Sequence, residues 1–461
     1  MATIINMNIN NIPVFRFPIY PKYETKRFFL VVFVFFILCT LVAFGQKNHT
    51  AFRASVIKVD VTPVTAKWLV GYGPRQSTGI HDRIYSRIIA LDDGVSQFYL
   101  VQSDLCVMSP SQYDHTASML QTRLGINPLN FWWSLSHTHS APEVGVPGLP
   151  EIFMGERYKH EVDTAYANML EETLIKGIIE AKKNLVPARL GVGWGFSLAN
   201  INRRAVDTNG RASLGMNPDG AVDRRIGLIR IDKKDGSPLA LVANYPIHGT
   251  VLGDKNLQIS GDAPGVVSEY VERKIGAPVL FVNGAAGNLA PIYSVYASPE
   301  AGHLSQFRVL LGDKIVDAHR KITVMADTVQ FTSGSLTVET PRKAGLGWSS
   351  DLGKYTTTTN GGINMVRLPI RFLKINEDVA IWSAPLELFC EISNEVRDRS
   401  PYPFTYYFGY TNGWLGYLPT AAAFENGGYE VETVSPYTPG AAKDLTESVL
   451  GYIQGEMRRK H

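Results

Sequence analysis

The chain has 461 residues, 45% hydrophobic and 19% charged, with a formal net charge of +3. That length can bury a large core, in one big domain or two modest ones. The charge is spread without a basic block, which excludes nucleic acid as an expected partner, since phosphate recognition needs a clustered positive footprint.

At the N-terminus, Lys22, Lys26 and Arg27 precede an unbroken apolar run, FFLVVFVFFILCTLVAFG, from Phe28 to Gly45. Small residues at Ala43 and Gly45 suit cleavage before Gln46, so the run reads as an export signal with a long leader. An uncleaved anchor is the alternative, because the run approaches spanning length. The expectation is an exported chain, periplasmic, secreted or membrane-anchored through this segment. Residues 1–45 would be the signal or anchor and 46–461 a single domain. Cys39 lies in the run. Cys106 and Cys390 remain, form no CxxC, and are expected as small buried hydrophobes.

Six apolar runs then read as buried strands: FYLVQSD (98–104), NFWWSLSH (130–137), LALVANYPIH (239–248), PVLFVNG (278–284), VAIWSAPLE (379–387) and TYYFGYTNG (405–413). Helical patterns lie between some of them. Residues 156–185 set Tyr166, Leu170, Thr173, Leu174 and Gly177 on one stripe. Residues 262–276 open on Asp262 as an N-cap and align Val267, Tyr270, Val271 and Ile275. A last helix, roughly Ala442 to Arg458, carries Leu445, Val449, Leu450 and Ile453. Strand and helix alternate, which predicts an α/β or mixed α+β fold of buried layered sheets with flanking helices.

Each run stops at a polar residue: Asp104, His137, His248, Asn283, Glu387 and Asn412 in turn, with Tyr417 just beyond. Open α/β sheets gather ligands at the carboxyl ends of their strands. Caps and turn formers are the plain alternative, which Asp and Asn fit well and two His motifs with a Glu fit less well. His137 and His139 form an HxH pair whose imidazoles point the same way if the segment is extended. Such a pair suits zinc, or a hydrogen-bonded structural role. His248, in NYPIHGT, and Glu387, expected to open a helix directly after its strand, each read as structural alone. With His137 they make a three-ligand zinc set. Arg203 and Arg204 are expected in a loop, as solvated charges or as a grip on a carbonyl or carboxylate. ISGDAPG (259–265) and NGAAGN (283–288) match neither GxxxxGK(S/T) nor GxGxxG, and no GxSxG elbow occurs. A nucleotide site and an α/β-hydrolase serine are therefore both unsupported.

Taken in order, ASVIKVDVTP (54–63), GYG, GIHDRIYSRIIALDDG, SDLC, HTHSAP, IHGT, ISGD, a Gly-rich loop, a strand ending in Glu, GWLGY and GGYE (427–430) resemble the catalytic domain of the neutral ceramidases. HTHSAP after an apolar strand is the specific element; the others are specific as an ordered set. The resemblance implies a zinc-dependent amidohydrolase of the N-acylsphingosine class, holding one Zn2+ through two His, a Glu and a Tyr. These fall on His137, His248, Glu387 and Tyr417. It puts the substrate-facing residues at His139, Arg203 and Tyr429, the last supported by its spacing from Tyr417. Water activated by the metal would attack an amide, Arg203 and Tyr429 would steady the oxyanion, and His139 would protonate the leaving amine. Asp104 would orient a ligand histidine or serve as a cap. The implied partner is a lipid-like or small amide substrate, reached through peripheral membrane contact. Two departures stand out. Ala286 and Asn288 occupy positions where the family carries a serine and an aspartate, and the family's C-terminal β-sandwich has no counterpart after the last helix. They keep open a zinc hydrolase of another amide or ester, or a non-catalytic secreted protein that retains the scaffold.

Overall fold

Runs rich in Val, Ile, Phe, Tyr and Trp become strands, because branched and aromatic side chains pack well on a pleated, buried surface. The computed structural model describes residues 51–293, 295 and 303–458. Its larger sheet has eight strands: β1 (Arg53–Asp60), β2 (Tyr85–Asp92), β3 (Gln97–Ser103), β4 (Phe131–Leu135), β5 (Val186–Phe196), β6 (Arg225–Lys233), β7 (Pro238–Tyr245) and β8 (Val279–Asn283). They lie in the order β8-β7-β6-β5-β1-β2-β3-β4. A second sheet runs β9 (Phe331–Pro341), β10 (Asn364–Ile375), β11 (Val379–Ser383) and β12 (Phe404–Phe408), with Thr356–Thr358 also paired to β10.

The principal helices are α1 (Pro110–Leu124), α2 (Thr164–Lys183), α3 (Asp262–Ile275), α4 (Cys390–Arg399) and α5 (Ala441–Arg458). Alternate side chains along the strands divide the core. Ile229, Val242, Leu280, Ile381, Tyr406 and Phe408 fill the space between the two sheets. Leu170 and Leu174 of α2 pack with Ile88 on the outer face of the larger sheet, as do Val267 and Val271 of α3 with Leu241 and Ala243. Leu445 and Val449 of α5 pack with Leu368 and Ile370 of β10. The layers are helix, sheet, sheet, helix, the mixed α+β architecture expected.

Within these two sheets three strand pairs are parallel: β3 with β4, β7 with β8, and β11 with β12. A parallel pair needs a crossover, and α1, α3 and α4 supply the three in turn. The carboxyl ends of each pair therefore lie side by side, β3, β7 and β11 leading on to a helix, and the polar residues noted in the sequence sit at or just beyond these ends.

Several boundaries differ from expectation. The helix expected over 156–185 begins at Thr164, because the Asp163 carboxylate accepts from Tyr166 N and caps it there. Asp262 is the first residue of α3, not its cap. Its φ of 50° turns the carboxylate back onto the amides of Val251 and Leu252 at 3.0 Å. Arg203 and Arg204 lie in a strand, Asn200–Val206, not in a loop. The expected localisation is also corrected. No helix among the described residues is long and apolar enough to cross a membrane, and the segment 28–45 on which export or anchoring rested lies outside the described residues.

Candidate metal centre

The site is assembled by short bridges between the segments that follow the strands. After β4 the chain turns at His137, a non-glycine residue with φ 64°, so the extended course assumed for the HxH pair is broken. Thr138 then forms a parallel bridge with Gly249: His139 N donates to Gly249 O at 2.8 Å and Gly249 N to His137 O at 3.2 Å. Glycine is required at 249, because a Cβ there would lie 2.6 Å from Thr138 Cα. His137, His139 and His248 are thereby fixed to one another. Asn283 ties the same segments, donating to Ser136 O and Ile247 O. Glu387 does not open a helix. It sits in a two-residue strand, Glu387–Leu388, paired in parallel with Tyr417–Leu418.

Four donor groups converge, each almost wholly buried. Glu387 Oε2 is 3.1 Å from His137 Nε2 and 3.1 Å from His248 Nε2, and the Tyr417 hydroxyl is 3.3 Å from His248 Nε2. Both histidines face backbone carbonyls with the opposite nitrogen: His137 Nδ1 with Cys106 O at 3.1 Å, His248 Nδ1 with Leu289 O at 2.8 Å. Donating from Nδ1 leaves Nε2 as a bare lone pair, the tautomer a metal takes. Lone pairs and a carboxylate facing one another repel unless a cation sits between them. A tetrahedral zinc at about 2.0–2.1 Å from each donor needs donor separations of roughly 3.3–3.4 Å, close to those found. The donor set fits such an ion.

The local acidities carry the same message. Burial pushes the Glu387 carboxyl up, but His137 and the hydrogen bonds of both histidines outweigh it and hold the group well below the usual carboxylate range. Burial opposes charge on His137 too, yet Glu387 pulls it up to about 10. His248 is lowered to about 3 by burial and by Arg203. Without an ion, a proton on His137 thus supplies the positive charge beside the carboxylate that a bound cation would otherwise supply. Burial, then Glu387, raises the Tyr417 hydroxyl well above its ordinary value.

Around these donors sit the other expected residues. His139 Nε2 lies 3.2 Å from His137 Nε2, the rings nearly perpendicular. Arg203 Nη2 donates to the Tyr417 hydroxyl at 3.1 Å, and its Nε to Glu430 at 3.0 Å. Tyr429 packs edge-on to Tyr417. His139, Arg203, Tyr417 and Tyr429 all open onto a cavity of about 850 Å³. All seven expected site residues therefore gather in one place.

Asp104 does not join them. It pairs with Arg87 at 3.0 Å and caps Tyr85 N, so no ligand histidine is oriented by it. Asn412 accepts from Trp133 N and stays structural. Ala286 is fully buried in the core beside Tyr410. Asn288 accepts from Cys390 N at the start of α4, donates to Glu391, and receives Arg203 N on its carbonyl. Cys106 and Cys390 are free and buried, as expected.

Sequence reasoning missed three supports. Tyr410 stacks on His137, centroids 4.1 Å apart, and its hydroxyl reaches Glu387 at 3.3 Å. Trp414 Nε1 donates to Glu387 Oε1 at 2.9 Å. Glu430 bridges Arg203 and Arg204. The sequence signal for the first two was their place after β12, Tyr410 just before GWLGY and Trp414 within it.

The sequence model described as neutral/alkaline non-lysosomal ceramidase, N-terminal, matches residues 52–289, just over half of the chain. That region holds His137, His139, Arg203 and His248 and ends before Glu387, Tyr417 and Tyr429. Neutral ceramidase B of Dictyostelium discoideum is 28% identical over 263 residues, 53% of this chain and 34% of that protein. Neutral ceramidase of Pseudomonas aeruginosa is 24% identical over 268 residues, 55% of this chain and 39% of that one. The chain thus spans little more than a third of the length of these relatives. The crystal structure of the Pseudomonas aeruginosa neutral ceramidase has the same fold, with a TM-score of 0.70 and 19% identity, covering 88% of this chain and 75% of that one. With its fold, and with this match over its first half, the chain belongs to the neutral/alkaline non-lysosomal ceramidase family.

Proposed function

We propose that the chain is a zinc-dependent amidohydrolase that cleaves the N-acyl bond of a ceramide-like or related amide. The observation that carries this reading is that His137 Nε2 and His248 Nε2 each lie 3.1 Å from Glu387 Oε2, with the Tyr417 hydroxyl 3.3 Å from His248 Nε2. When bound, zinc would supply Lewis acidity, polarising an acyl carbonyl and acidifying a water.

The chain's own residues divide the rest of the work. Arg203, fixed by Glu430 and Tyr417, and the Tyr429 hydroxyl present donors to the carbonyl oxygen as negative charge develops on it. Burial and the neighbouring histidines keep the His139 ring neutral, so from its place beside the metal donors and on the cavity wall it takes a proton from the attacking water and hands it to the leaving amine. Tyr72 packs edge-on to the His139 ring and Gly71 abuts it, holding its orientation. The exposed Leu214 at the cavity offers apolar surface to an acyl chain.

A second reading, hydrolysis of a different amide or an ester, is favoured by Ala286. That position is closed into the core and presents no hydroxyl to the cavity. The experiment is elemental analysis of purified protein, followed by assay against N-acylsphingosine beside small N-acyl amines and esters. One zinc per chain with amide cleavage is the expected result. Cleavage of esters alone would favour the second reading, and absence of bound metal after zinc loading would defeat both.

A further inference from the structure

Among the described residues the buried arginines other than Arg157 meet carboxylates or, at Arg75, backbone carbonyls, although Arg75 Nε and Arg87 Nη2 are left without partners. Arg87 meets Asp104 and Glu272. Arg203 and Arg204 share Glu430. Arg75 donates to the carbonyls of His139 and Asn256. Arg157 is different. It lies in the short 3-10 turn Gly155–Tyr158, is 6% exposed, and lines the cavity onto which His139, Arg203 and Tyr429 open. Among the described residues no carboxylate comes within 4.0 Å of it, and its Nε has no hydrogen-bond partner. Glu143 acts on it only at a distance. That carboxylate faces His160 Nε2 at 3.2 Å, and burial pushes it up to about 7.

The polar group beside Arg157 is the Tyr158 hydroxyl, and a largely buried guanidinium that lines a cavity with no carboxylate in contact gains when an anion arrives there. Two exposed cations, Lys255 and Arg308, line the same cavity, and Asp254 is the sole acid among its described lining residues. The wall is therefore cationic beyond what the metal donors require. The planar fork of arginine matches a carboxylate or phosphate in two parallel hydrogen bonds. Arg157 and Tyr429 line the same cavity, and the Arg157 charge acts on the Tyr429 hydroxyl.

We propose that Arg157 is a specificity residue that receives an anionic group on the substrate, so that the preferred substrates are N-acyl compounds bearing a carboxylate or phosphate, such as N-acyl amino acids. The inference rests on the amidohydrolase reading for its chemistry, but anion recognition is testable apart from turnover. The probes are three sulfonamides that resist hydrolysis: N-dodecanesulfonyl glycine, its phosphoethanolamine analogue and its neutral ethanolamine analogue. Each is titrated by calorimetry into the zinc-loaded full chain and into Arg157→Gln and Arg157→Lys. In the unaltered protein at least one anionic probe binds about tenfold or more tighter than the neutral one, and which of the two does so separates carboxylate from phosphate. The ratio collapses toward one in Arg157→Gln and survives in part in Arg157→Lys. Matching melting temperatures and zinc contents exclude misfolding as the cause. The corresponding amides, compared by kcat/KM, follow the same order. Equal binding of all three probes, or a ratio undiminished in Arg157→Gln, overturns the proposal. If the ratio behaves as expected while no amide is cleaved, the anion site stands and the amidohydrolase reading falls.

Discussion

His137 Nε2 and Glu387 Oε2 stand 3.1 Å apart, although one follows the edge strand of the larger sheet and the other follows β11 of the second. Each is held from outside: His137 by the Cys106 carbonyl, Glu387 by Trp414 and Tyr410. Such prior fixing lets donors wait for an ion without collapsing. His137→Ala or Glu387→Gln is expected to reduce zinc from about one equivalent to a small fraction, and activity with it. An ion at about one hundred times its Kd stabilises the fold by about 2.7 kcal/mol. Chelation should therefore lower the melting temperature of the unaltered protein and leave that of the variants unmoved. Full zinc occupancy in His137→Ala would remove His137 from the ligand set.

His139 presents the same side-chain type two residues on, yet its ring stands beside the donor set and lines the cavity. Its Nε2 faces His137 Nε2 at 3.2 Å and its Nδ1 has no hydrogen-bond partner. His139→Ala should keep the metal and lower kcat by about 10²–10⁴-fold, the usual range for a proton-transfer group. Elemental analysis and steady-state kinetics on one preparation separate this from loss of a ligand.

The contrast between these two histidines marks how far the sequence could be read. Apolar runs ending in His137, His248 and Glu387 reveal strand ends, because burial in parallel pairs demands continuous hydrophobic residues. The left-handed turn at His137 leaves no such mark, since the bridge of Thr138 to Gly249 imposes it from far along the chain. The strand Asn200–Val206 carries Asn and Arg in its interior, so its pattern resembles a loop. Tyr410 falls in the run read as a strand and Trp414 within GWLGY, and only the folded position of Glu387 gives their polar atoms a purpose.

Gly71 tests how strictly the His139 ring must be placed. Its φ is 108°, and a Cβ at this position would overlap the His139 imidazole. Gly71→Ala carries backbone strain of about 1–3 kcal/mol and pushes the ring from its position. The expected result is a kcat lowered by roughly 10²-fold, as a misplacement near 1 Å can produce, with zinc retained. Unchanged kcat would mean that His139 tolerates displacement and takes no direct part.

Asn288 explains why one departure from the family pattern is structural here. Its Nδ2 donates to Glu391 at 2.8 Å while its Oδ1 accepts from Cys390 N. Asn288→Asp, which restores the family residue, would set a carboxylate oxygen against Glu391. A loss of about 1–3 kcal/mol follows from the broken bond and the facing acceptors, read as a lower urea midpoint with no gain in activity. A gain in ceramide hydrolysis would instead make position 288 a substrate contact.

Glu272 joins α3 to the larger sheet through Arg87 at 2.7 Å and Lys58 at 2.6 Å, and accepts from Val279 N. Burial opposes its ionisation, but Arg87 and these hydrogen bonds prevail and lower its pKa below the ordinary glutamate value. The unfolded chain then binds the proton first. The stabilisation is complete above the unfolded pKa of about 4.3 and is lost as pH falls through the lower folded value. Glu272→Gln keeps Asp104 beside Arg87, so its cost at pH 7 should be about 1–3 kcal/mol, in the range of a charge-assisted hydrogen bond. Measured by urea unfolding, the gap between variant and unaltered protein should be constant from pH 7 to about 5 and narrow below about 4, because only the unaltered protein has that carboxylate left to protonate. A gap that stayed the same at pH 3.5 would mean that Glu272 acts by packing, and that Arg87 is held by Asp104 alone.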